Sequence, residues 1–144
     1  MTKNMTNKSI LVELYQNAHT AMQSIKNLSP EVDDAKVKRE LIADYNKYQK
    51  IIDEINTLMD KYNVEKRDIG VMKKFSMMMA IKMKTFFSAK NDKVADMMIK
   101  GATNGIIELT AIKNKHTAND DVKIALDKLL SHEEQSIENY KAFL

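Results

Sequence analysis

Three carboxylates and one imidazole occupy positions where a helical protein would bury apolar side chains. Asp44 lies between Leu41 and Tyr48, Glu108 between Gly105 and Ile112, and Glu133 between Leu129 and Ile137, with His132 bordering the last stripe. At about 100° per residue these spacings turn the three carboxylates toward the inward face of their helices. A buried carboxylate is costly unless it is paired, hydrogen-bonded or bound to a metal. Two chemistries therefore compete for Asp44, Glu108, His132 and Glu133. Carboxylates and a histidine drawn from several helices are the ligands that divalent iron or manganese takes in a bundle core. Alternatively, the same groups form a polar network or a solvated edge, with Tyr45, Tyr48 or Tyr140 as partners.

Little else in the chain is chemical. There is no cysteine, which excludes disulfides, thiolate metal sites and a cysteine nucleophile. No serine or threonine has the context of a nucleophile, and no histidine that of a general base, so catalysis without a metal is not expected. His116 reads as the cationic end of a helix, and His19 falls on the exposed side of its own. The stretch "GATNG" carries Gly101 and Gly105 on one inward face. It lacks the preceding strand and the Lys-Ser/Thr of a phosphate loop, so it implies close helix approach or room for a large neighbour such as Tyr or Phe.

The stretch "GVMKKFSMMMAIKMKTFF", residues 70–87, holds five of the chain's eleven methionines. Val71, Met72, Phe75, Met78, Met79, Met83 and Phe86 share one arc and read as core, because thioethers without cysteine or histidine suit little besides soft copper. Met77 and Ile81 lie on the opposite side among Lys73, Lys74 and Lys84. These five residues are the candidate surface for a second copy or a protein partner.

The elements that must position these groups follow from periodicity. Five segments repeat apolar residues every three or four positions. The first runs from about Thr6 to Leu28. Ser29 is expected to cap the second, with Pro30 in its first turn and its end near Tyr62. Asp68 caps the methionine segment, which reaches about Ser88; Asn91 caps the fourth, which reaches about His116. The fifth runs from about Asp120 to the C-terminus.

With 44% hydrophobic residues, one proline and three glycines in 144 residues, the expectation is a single all-α domain over 1–144, an antiparallel up-and-down bundle of four long helices and a shorter one. A net charge of +3 with interspersed signs gives no electrostatic footprint for nucleic acid. No apolar run is long enough for a signal segment or a membrane span, so a cytoplasmic protein is expected.

The stretches "LIADYNKYQKIIDEINTLM", "MKKFSMMMAIKMKTFF", "MMIKGATNGIIEL" and "LLSHEEQSIENYKAFL" resemble the small bacterial ferritin-like bundle domains of unknown function. The resemblance covers most of the chain in helix order and length. It implies an antiparallel four-helix core and, in active members, a di-iron centre built from Glu on two helices and Glu-x-x-His on two others. Residue by residue the ligand pattern fails. Glu13 is off the inward face and Asn17 near its edge; Asp44 is followed by Lys47, Glu108 by Ala111 and Glu133 by Ser136, so no Glu-x-x-His exists. The expectation is a non-catalytic bundle without a cofactor, with a structural or interaction role of the kind stress- or spore-associated accessory proteins have. Iron or manganese binding by a degenerate di-iron protein is the alternative.

Overall fold

The structure, a computed structural model, describes residues 5–65 and 90–144. The methionine segment and the surface around Lys73, Lys74, Met77, Ile81 and Lys84 lie outside the described residues.

Helix α1 spans Asn7–Leu28. A reciprocal cap starts it: the Thr6 hydroxyl accepts the Ser9 N–H at 3.1 Å while the Ser9 hydroxyl accepts the Thr6 N–H at 2.9 Å. At its far end, Ser29–Glu31 forms a 3-10 turn rather than the start of the second helix. Asp34, not Ser29, caps helix α2 (Ala35–Lys61) by accepting the N–H groups of Lys36 and Val37. An aspartate has two oxygens to offer here, and its extended backbone leaves the carboxyl facing the open first turn.

Helix α2 buries Val37, Leu41, Asp44, Tyr48, Ile52, Ile55 and Met59, an unbroken three- and four-residue rhythm. It ends in a Schellman motif. Asn63 takes a positive φ of 56°, and the N–H groups of Val64 and Asn63 donate back to the carbonyls of Met59 and Asp60.

Helix α3 spans Asn91–Lys115 and helix α4 spans Asp120–Lys141. Asn91 is the first residue of α3 rather than its cap, and its amide donates to Asp34 Oδ2 at 3.1 Å. Of the two glycines expected to face inward on α3, only Gly105 does; Gly101 is exposed.

Contacts at the ends fix the helix directions. The start of α2 meets the start of α3 through Asp34 and Asn91. The end of α2 meets the start of α4, where Asp121 accepts from Lys61 and from the Tyr62 hydroxyl. Met5, just before α1, donates its N–H to His116 Nδ1 at the end of α3 (3.0 Å). Hence α1 is antiparallel to α2 and α3, and α4 is antiparallel to α2 and α3, while α2 and α3 run the same way. The closest packing is within the hairpins α1–α2 and α3–α4, which join chiefly along the α2–α4 seam.

All four helices supply one apolar core, in which Leu11, Leu14, Ile25, Leu41, Ile55, Leu109 and Leu129 are fully buried. Each such side chain contributes about 1.5–3 kcal/mol relative to exposure. Among the described residues, no helix is long and apolar enough to cross a membrane.

Candidate functional site

The α2–α4 seam carries the polar centre. Asp44, in the middle of α2, is 3% exposed, and its carboxyl points at α4. Its Oδ1 accepts from His132 Nε2 at 2.7 Å and from the Ser136 hydroxyl at 2.8 Å, while Oδ2 accepts from the Tyr140 hydroxyl at 2.8 Å. Because a carboxylate only accepts, the imidazole carries a proton on Nε2 in this arrangement. The three donors follow one another at four-residue intervals and therefore form a single row along α4. Tyr48 closes the network from α2, its ring edge-on to His132 at 4.4 Å and 88°.

Burial raises the phenols of both Tyr48 and Tyr140 well above the usual tyrosine range. The charges of Glu133 and Asp44 add to this for Tyr48, and Asp44 adds to it for Tyr140. Tyr140 therefore acts at Asp44 as a permanent donor.

The residue types Ser, His and Asp meet here without the geometry of a nucleophilic triad. Ser136 donates directly to Asp44, and the imidazole turns the same Nε2 toward Asp44 at 2.7 Å and Ser136 at 3.4 Å. No second imidazole nitrogen faces the hydroxyl to take its proton.

Glu133 is one residue along from His132 but turns toward α3. It is 2% exposed, and its carboxyl occupies the space that the missing side chain of Gly105 leaves. Its Oε1 has no hydrogen-bond partner among the described residues. Burial, then the nearby charges of Glu108 and Asp44, push its pKa up to about 8. The Asn17 amide of α1 reaches the Gly105 carbonyl at 3.4 Å, so α1 borders the same region. Glu13, also on α1, has its carboxyl raised by partial burial and by Glu108.

The four residues singled out from sequence thus divide. Asp44 and His132 are bonded to one another, Glu133 is buried in a separate position against α3, and Glu108 is exposed instead of inward-facing. Among the described residues, no three His, Cys, Asp or Glu side chains come together as a set that could hold a metal ion. The described residues, as placed, do not by themselves form a di-iron ligand set. Ser136 was overlooked in the sequence as a network member. Its position four residues after His132 and four before Tyr140 was the available signal.

His116 does stand at a helix end, where its backbone N–H bonds the Ile112 carbonyl and its ring accepts from Met5. His19 is half-buried rather than exposed, stacked on Tyr15.

These elements and this seam define an all-α four-helix bundle with a polar network sealed into its core. No protein-family model, curated protein or solved structure matches the chain.

Proposed function

We propose that the chain is a non-catalytic bundle of the ferritin-like kind with a structural or protein-interaction role. The observation that carries this reading is the occupancy of Asp44. Both of its oxygens are taken by donors from α4, so this buried carboxylate serves the packing of two helices. The helix directions support the ferritin-like scaffold: α2 and α3 run the same way, which is the consequence of one long crossover in that class of bundle. The interaction role rests on the sequence, in which Met77 and Ile81 stand four residues apart among Lys73, Lys74 and Lys84.

The metal reading, Fe or Mn on a degenerate set, has one observation in its favour: the buried Oε1 of Glu133 without a partner. Both readings meet in one experiment. The protein is purified from cells grown with added iron and manganese, and its metal content is measured beside the unfolding free energy of wild type and Asp44→Ala. The structural reading expects no stoichiometric, chelator-resistant metal and a loss of about 3–5 kcal/mol in the variant, because three core donors lose their acceptor. Stoichiometric iron or manganese that disappears in Glu108→Ala would establish the alternative. For the interaction role, Met77→Lys with Ile81→Lys should lower the mass seen in light scattering while helicity is kept; an unchanged mass removes that surface.

A further inference from the structure

His132 has a second ring nitrogen that the Asp44 network does not use. Its Nε2 is committed to Asp44 at 2.7 Å, and the carboxyl that holds it is fixed in turn by the Ser136 and Tyr140 hydroxyls, each at 2.8 Å. The Tyr48 ring, edge-on from α2, steadies the imidazole. A proton kept on Nε2 leaves the lone pair on Nδ1. Among the described residues nothing bonds Nδ1, and it is not sealed in: the enclosed imidazole nitrogen without a partner belongs to His19, whereas the His132 side chain is 9% exposed.

Lysines stand on both helices beside this edge. Lys128, one turn before His132 on α4, reaches across the seam to Glu54 of α2 at 3.0 Å. Lys47 is one turn beyond Asp44 and shares the α2 face of Glu54, seven residues on. It is exposed and engages no carboxylate among the described residues. An imidazole oriented by a carboxylate, with its other nitrogen bare, can serve as a metal ligand or as a nucleophile. A metal needs further ligands, and among the described residues no set of three gathers. Cationic neighbours favour an anionic electrophile instead.

We propose that His132 is a phosphoryl acceptor, its Nδ1 taking the group from a phosphoramidate or an acyl phosphate, with Asp44 as the positioning residue. The Nδ1 lone pair attacks phosphorus and forms a P–N bond. The donor's own P–N or P–O bond breaks, and the amine or carboxylate leaves with the bonding pair. Nε2 keeps its proton, and the positive charge gained by the ring faces the Asp44 carboxylate. Such transfer depends mainly on positioning and charge, which the fixed imidazole and Lys47 supply. The acceptor relies on the packing role of Asp44 and adds to it.

The test incubates the full chain with potassium phosphoramidate in mildly alkaline buffer, maps the labelled histidines by mass spectrometry and reads the isomer by phosphorus NMR. The expected result is phosphate on His132 bonded through Nδ1, whereas the same residue in urea gives both isomers. Asp44→Asn keeps the shape and removes the charge facing the ring. It should slow labelling about tenfold and let the Nε2 isomer appear. Lys47→Glu, at an exposed position, should slow labelling and weaken its salt dependence with circular dichroism unchanged. No labelling of His132, preference for His19 or His116, or an Nε2 isomer in wild type overturns the proposal. A wild-type rate in either folded variant overturns it as well. If Asp44→Asn does not fold, the isomer formed by wild type and the Lys47→Glu rate decide the outcome.

Discussion

A methyl group built on Gly105 would lie 2.1 Å from Glu133 Oε2, far inside contact distance, whereas one on Gly101 meets nothing within 4 Å. Both glycines sit in α3, where alanine is intrinsically better by about 1 kcal/mol. Gly101→Ala should therefore stabilise by up to about 1 kcal/mol. Gly105→Ala must displace a buried carboxyl, and the expected net effect is a loss of about 1–2 kcal/mol in urea unfolding. The loss should vanish when Glu133 is also changed to Ala. If Gly105→Ala alone were stabilising, the Glu133 carboxyl would have to swing freely, contrary to its burial. The same pair marks what periodicity can and cannot read. Asp44 and Glu133 follow their helical rhythms into the core, and both are buried. Glu108 misled because the α3 stripe centres near Met98 and Leu109, leaving position 108 roughly 80–90° away on its flank. That His132, Ser136 and Tyr140 all serve Asp44 depends on α2 lying beside α4, which spacing within one helix does not encode.

Asp34 joins two elements at one end of the bundle. Its Oδ1 closes the first turn of α2 through Lys36 and Val37, and its Oδ2 holds the Asn91 amide of α3. The bonds from Val37 and Asn91 hold its carboxyl below the ordinary aspartate value. Asp34→Ala should lower the unfolding midpoint and speed amide exchange at Lys36 and Val37, while Asn91→Ala should leave that first turn protected. Equal exchange in both variants would mean that the Asn91 contact, not the cap, holds the turn. Helix existence was legible here because the apolar rhythms of α1, α2, α3 and α4 are long. Helix starts were less so: Ser29 and Asn91 have capping chemistry, yet Pro30 closes a 3-10 turn after Ser29, and Asn91 already lies inside α3. Helix direction was legible within the pairs α1–α2 and α3–α4, whose short links make neighbours antiparallel, while the common direction of α2 and α3 shows only in contacts between their ends such as Asp34 with Asn91.

The stability of the whole bundle should depend on pH in an unusual sense. Glu133 titrates near 4.5 in an unfolded chain and at about 8 when buried. Between those values the folded state holds a proton that the unfolded state has released, so the group's contribution is complete below 4.5 and is lost as pH rises through 8. Its full span is on the order of a few kcal/mol. Glu13, also raised, acts in the same sense from a less buried position, and other groups act in the opposite direction. The lowered His19 contributes above its ordinary 6.5 and loses that contribution as pH falls. Asp34 and Asp121 do the same below their ordinary 3.8. Glu133 is the most buried of these and dominates the neutral-to-alkaline limb. Urea unfolding from about pH 5 to pH 9 should therefore show wild type losing a few kcal/mol. Glu133→Gln keeps the shape of the neutral acid and cannot ionise. It should be close to wild type at the acid end, nearly flat across the range, and the more stable of the two at the alkaline end. Parallel curves for the two proteins would remove Glu133 as the proton holder and shift the pH response to the surface carboxylates.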